Sequence, residues 1–157
     1  MIIMNQDEKL DFYKKQIDLE EQIIKKAKES VEEIENSLVK ELILSIAIDS
    51  QKHKSMLNAL ITLVSETSPF IGEKQSDIIG KVIQEHIDLE SSAIETYKEL
   101  LEKLESEKER FVIRAIFQDE IRHHALLKRL MRVIIEKKTL YTSEMWDFLW
   151  EDATPEY

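Results

Sequence analysis

The sequence predicts an all-α protein, a bundle of four long helices built from two duplicated antiparallel hairpins with a crossover connection, plus a short C-terminal helix. Three observations predict it. Only two Gly and two Pro occur in 157 residues, beside 34% charged residues, a composition that leaves room for few turns. Apolar residues recur at alternating steps of three and four over four long stretches, as on the buried stripe of a bundle helix. Two segments are also near-copies seventy positions apart. Ile17-Asp18-Leu19-Glu20 returns as Ile87-Asp88-Leu89-Glu90, and Asp49-Ser50-Gln51-Lys52-His53 returns as Asp119-Glu120-Ile121-Arg122-His123.

Each element has its own signals. Asn5 with Glu8 fits a capping box and opens helix 1, which is expected to run to about Glu35. Asn36-Ser37 marks a tight break, and helix 2 is expected from about Leu38 to Ser65. Glu66 to Gln75 contains Pro69 and Gly72 and reads as the linker. Ten or eleven extended residues there reach roughly 35 Å at about 3.3 Å each, enough to cross along a bundle. Helix 3 is expected from Ser76 or Asp77 to Leu104. Ser106 with Glu109 is a second capping-box candidate, opening a helix 4 that reaches about Lys137. Thr142 or Ser143 caps a short fifth helix through Leu149, ahead of Pro155. The length fits one domain over residues 1–157, with the bundle at 5–137 and the C-terminal helix and tail at 142–157.

Composition narrows the chemistry. With no Cys, the sequence offers no disulfides, thiolate zinc sites, iron–sulfur ligands or thiol nucleophile. A formal net charge of −10 disfavours nucleic acid and anionic membranes as partners and favours cations. The apolar Met1-Ile2-Ile3-Met4 is too short for a signal peptide, and no window approaches a membrane span. A soluble, cytoplasmic protein is expected.

The stripes locate the candidate site. Helix 1 places Leu10, Tyr13, Ile17, Glu20, Ile24, Ala27, Val31 and Ile34 in register; helix 3 places Ile83, Ile87, Glu90, Ile94, Tyr97, Leu101 and Leu104. Helix 2 offers Val39, Ile43, Ile46, Ser50, His53, Leu57, Leu60 and Val64. Helix 4 offers Ile113, Ile116, Glu120, His123, Leu127, Leu130 and Ile134. Glu20, Ser50, His53, Glu90, Glu120 and His123 are the polar interruptions, each near the middle of its helix. An isolated buried carboxylate is costly, and three acids with two imidazoles gathered around cations would remove that cost.

Glu120 and His123, three residues apart, share one helix face and can serve the same metal pair. Glu20 and Glu90 each lie thirty residues before the equivalent positions 50 and 120. The alternative is a buried Glu–His network without metal. Asp49 and Asp119 either orient the histidines through the second ring nitrogen or pair with Lys52 and Arg122 on their own helices. Tyr97, two turns after Glu90, either hydrogen-bonds a ligand or transfers an electron, or is simply core; Tyr13 has the same ambiguity. His86 and His124 fall off the stripes and read as exposed or flanking residues.

Through Glu20, His53, Glu90, the Asp119-Glu120-Ile121-Arg122-His123 segment and the duplication, residues 5 to 137 resemble the ferritin-like superfamily of di-iron carboxylate proteins, in particular its rubrerythrin or erythrin branch. The resemblance implies two divalent metal ions, iron first, with manganese or a mixed pair also suited and zinc able to compete. It implies Glu20 and Glu90 as single-helix ligands, Glu120 as a bridge, and His53 and His123 holding one metal each. The implied activity is reaction with dioxygen or hydrogen peroxide, of ferroxidase or peroxidase type, with Glu120 and Tyr97 at the reacting centre. Ser50 departs from the pattern, which has a bridging Glu there. A hydroxide, Glu21 or Asp49 turned inward, or an exogenous anion would have to complete the site. The family's Cys-rich electron-transfer centre has no counterpart in this sequence, so an external electron donor is implied.

Three functions follow: a redox metalloenzyme, a non-catalytic metal-binding or storage-related protein weakened by Ser50, or an interaction module that has lost its metal. A homodimer is expected through helices 1 and 2. Phe12, Ile23, Leu44 and Ile48 stand there where the second copy has Val82, Ala93, Arg114 and Gln118. The aromatic cluster of Met145, Trp146, Phe148, Leu149 and Trp150 caps the bundle, packs on a neighbour or forms a docking tail.

Overall fold

The computed structural model describes residues 4–65 and 73–133. Among the described residues all regular structure is helical: α1 (Gln6–Ser30), α2 (Ser37–Ser65), α3 (Glu73–Lys103) and α4 (Glu107–Met131). None of these helices is long and apolar enough to cross a membrane. The chain divides into two compact units at Pro69/Phe70, one for each hairpin.

The predicted starts of α1, α2 and α4 are the ones used. Asn5 Oδ1 accepts from the Glu8 backbone N–H (3.0 Å), and Glu8 Oε2 accepts from the Asn5 N–H (2.8 Å), a complete capping box that satisfies otherwise orphaned donors. Asn36 begins α2, its Oδ1 accepting from Val39 N–H (3.1 Å) and its carbonyl from Lys40 N–H (3.0 Å). Ser106 Oγ accepts from Glu109 N–H at α4 (3.4 Å).

Two boundaries differ from expectation. α1 stops at Ser30 rather than near Glu35, and residues 31–33 form turns with Glu32 N–H on Glu29 O and Ile34 N–H on Val31 O. Glu29, Glu32, Glu33 and Glu35 crowd this end, where negative charge opposes the helix dipole. α3 begins at Glu73, directly after Gly72, so helix takes three residues assigned to the linker; beyond Gly72 no punctuating residue delays it. The rest of the proposed linker, α4 beyond Val133 and the fifth helix with its aromatic cluster lie outside the described residues.

Side-chain contacts fix the direction of each pair. In the first hairpin Gln6 Nε2 donates to Val64 O (2.8 Å), Glu20 meets His53 and Glu21 meets Lys54. Numbers rise on α1 as they fall on α2 between the ends and the middle, so the helices are antiparallel. In the second hairpin Glu90 meets His123 and Ser91 meets His124, while Arg110 Nη1 closes the turn on Leu104 O (3.3 Å). These contacts repeat the seventy-residue offset: Glu20–His53 maps onto Glu90–His123, and Glu21–Lys54 onto Ser91–His124.

The stripes of α1 and α3 are covered along their described length, with Ala27, Val31, Ile83 and Ile87 buried and the remainder half-buried. On α2 the covered face is turned by about one residue. Ala47 and Ser50 are buried and Lys54, Leu57, Ile61 and Val64 half-buried, whereas Val39, Ile46, His53 and Leu60 are exposed. The small side chains of Ala47 and Ser50 allow α1 a close approach, which sets this rotation. On α4 the described stripe is half-buried at Ile113, Ile116, Glu120, Leu127 and Leu130, and His123 alone is exposed, with His124 half-buried beside it.

Candidate metal centre

The first hairpin supplies a two-residue half-site. Glu20 sits on the covered stripe of α1 with 17% of its side chain exposed, and its Oε1 lies 3.3 Å from His53 Nδ1. Its other oxygen, Oε2, is buried and has no hydrogen-bond partner. Ser50, one turn before His53, is 4% exposed and contributes no charge. Glu21 and Asp49, the acids that could replace the missing carboxylate, are both engaged by lysines. Lys54 Nζ lies 2.5 Å from Glu21 Oε1, and Lys52 Nζ lies 2.8 Å from Asp49 Oδ1.

The second hairpin supplies three residues at the equivalent level. His123 Nδ1 lies 3.9 Å from Glu90 Oε1 and 3.9 Å from Glu120 Oε2. One donor atom from each of Glu90, Glu120 and His123 falls within a 4.8 Å group. The acids are well covered, at 18% and 22% side-chain exposure. Glu90 Oε2, like Glu20 Oε2 in the other copy, is buried without a partner.

The two acids of this hairpin crowd each other. A hydrogen bond with Glu90 raises the Glu120 carboxyl above its ordinary value; burial and the negative charge of Glu90 add to the rise, as does Asp119 to a lesser degree, while His123 opposes it. A shared proton is the metal-free solution to two close carboxylates; a cation is the other. One carboxylate oxygen orphaned in each copy, together with an oxygen-and-imidazole donor set, fits a divalent ion of the iron, manganese or zinc type.

Not every expected feature is met. The imidazoles were expected indoors, but His53 is 51% and His123 49% exposed at the side chain. In a hairpin, one neighbouring helix covers each of α2 and α4, and both histidines fall at the edge of that contact. Asp49 and Asp119 make their described bonds to Lys52 and Arg122, three residues on along the same helix. Tyr97 is half-buried on the α3 stripe, two turns from Glu90, as is Tyr13 on α1, where Phe12 packs edge-on against it. His86 is exposed, as expected.

Sequence reasoning passed over a second contact layer. Ser91 Oγ lies 3.5 Å from His124 Nδ1, in the place that the Glu21–Lys54 pair takes in the first hairpin. The signal was available: positions 21 and 54 map onto 91 and 124 by the same offset, and a carboxylate–lysine pair has been exchanged for a serine–histidine one. Of the four residues expected at a dimer face, Phe12 (48%) and Ile48 (71%) are well exposed, while Ile23 and Leu44 are half-buried. Comparison with protein-family models, with curated proteins and with solved structures finds no match for this chain.

Proposed function

We propose that this protein binds divalent metal ions through Glu20 and His53 in one hairpin and Glu90, Glu120 and His123 in the other, as a ferritin-like protein with a two-metal centre. The observation that carries this reading is the pair of orphaned buried oxygens, Glu20 Oε2 and Glu90 Oε2, at duplicated positions beside an imidazole. Each is a strong acceptor without a donor, and such groups are rare unless something outside the protein satisfies them. Closure of the two hairpins into one four-helix bundle, with a crossover between them, belongs to the same proposal. Its support is the common seventy-residue register and the equal thirty-residue spacing in each copy.

When bound, iron or manganese would supply one-electron chemistry toward dioxygen or hydrogen peroxide. The chain's own contributions are distinct. Glu90 and Glu120 crowd each other and raise the Glu120 carboxyl above its ordinary value, so a cation bound between them competes with protonation of Glu120 and binds better as pH rises. The histidines offer ring nitrogens near a solvent-reachable edge. Tyr97, on the stripe of Glu90, is positioned to hydrogen-bond a ligand or relay an electron. Without Cys, the chain would draw electrons from an external donor, and a reducing cytoplasm suits a ferrous site. A homodimer through Phe12, Ile23, Leu44 and Ile48 completes the proposal.

Metal analysis of the purified protein, followed by anaerobic Fe(II) or Mn(II) titration and exposure to oxygen or peroxide, tests it. Stoichiometric metal with an oxidant-dependent absorbance change is expected. A folded protein that ignores both metals would remove the metal reading. A second reading, a metal-binding or storage-related protein without turnover, is favoured by Ser50, buried where the second copy has Glu120. It predicts stoichiometric metal and no spectral response to oxidant.

A further inference from the structure

The duplication invites the assumption that the two half-sites are equivalent, and their surroundings argue otherwise. In the second hairpin two carboxylates, Glu90 and Glu120, face one imidazole, with the Ser91–His124 pair beside them. Two negative charges match one divalent ion. In the first hairpin Glu20 is the one carboxylate next to His53, and Ser50 brings no charge. A lysine, Lys54, occupies the position of His124, and its positive charge is held one residue from His53 by Glu21. A divalent ion there would meet half the neutralising charge, with an ammonium group nearby.

Resting on the metal-binding reading above, we infer that the second hairpin is a self-sufficient site for one divalent cation, loaded first, and that the first hairpin binds only afterwards and more weakly. Ser50 and Lys54 set the difference. Ser50 removes a ligand; Lys54 is a positioning residue that ties up Glu21 and raises the electrostatic cost of a second cation. The orphaned Glu90 oxygen then marks the tight site and the orphaned Glu20 oxygen the loose one.

Titration of the full-length protein with Mn(II), followed by the EPR signal of free manganese, separates the sites; Co(II) absorption in the visible range reports the donors. Wild type is expected to take one tight equivalent and a second at least about tenfold weaker, the order of effect that disturbing one supporting group of a metal site produces. Glu120→Gln should abolish the tight equivalent, and His123→Ala should alter the Co(II) band of the first equivalent. Glu20→Gln and His53→Ala should weaken the second equivalent more than the first, because they lie in the other hairpin. Ser50→Glu should strengthen the second equivalent. Circular dichroism checks that each variant is folded, and the isosteric Gln variants minimise disturbance. Two equal wild-type sites, or equal loss on Glu20→Gln and Glu120→Gln, would overturn the loading order while leaving metal binding intact. No binding by folded wild type of either metal would overturn both.

Discussion

At the scale of single residues, Glu120 has the clearest pH signature. Its pKa is raised in the folded chain, so folding favours the protonated acid. That contribution is fully present below the ordinary carboxylate value and is lost as pH rises through the raised one. Metal-free wild type is therefore expected to lose thermal stability as pH rises above about 4.5, relative to Glu120→Gln, which keeps a neutral group at all pH values. The difference between the two melting curves, taken in chelator across that range, isolates this group from the other acids. A difference that does not vary with pH would contradict the assignment. The composition of each cluster was legible before any coordinates, because acids and imidazoles interrupt apolar stripes at repeated intervals. The exposure of the imidazoles was not. Periodicity assigns a residue to a face about 100° wide, and His53 and His124 differ from their neighbours Lys54 and His123 by one such step.

At the scale of elements, three of the four helix starts and the ends of α2 and α3 were readable, while the start of α3 and the end of α1 were not. Asn5, Asn36 and Ser106 carry short polar side chains that bond the next exposed N–H groups, a chemistry written in the residue itself. The end of α1 is decided by the accumulated acids from Glu29 to Glu35, a collective effect that no single residue announces. Asn5→Ala and Ser106→Ala are each expected to lower stability by about 0.5–2 kcal/mol, with the Asn5 change larger because its box is reciprocal. Urea unfolding of the two variants checks both the size and the order. The rotation of α2 was hidden because Ala47 and Lys54, covered in place of Ile46 and His53, are small or charged and carry little hydrophobic signal. What covers them is the partner helix, a tertiary fact.

At the scale of the whole molecule, the duplication made the two-hairpin division legible and suggested a common plan for both halves. It did not reveal how far the halves had diverged in charge, since that required seeing Lys54 on Glu21 and Asp49 on Lys52. The apolar excess of the first hairpin leads to a test of assembly. Leu44→Glu combined with Ile48→Glu is expected to convert a homodimer into monomers, read by light scattering or sedimentation. Unchanged particle size would exclude that face. Phe12, 48% exposed against Tyr13, adds to the same apolar surface.

The salt link between Lys54 and Glu21 carries one more implication. Lys54 gives the first hairpin a standing cation beside Glu21, and Glu20 faces His53 there without a second carboxylate crowding it. In the second hairpin Glu90 and Glu120 crowd each other, and on the metal-binding reading a cation relieves that crowding. Metal starvation should therefore loosen α3 and α4 while sparing α1 and α2, and amide hydrogen exchange would record it. Added Mn(II) at about a hundred times its dissociation constant should slow exchange in α3 and α4 by the equivalent of about 2.7 kcal/mol. On the proposed reading, one half of the chain waits for its ion, and the other carries a lysine at the matching position.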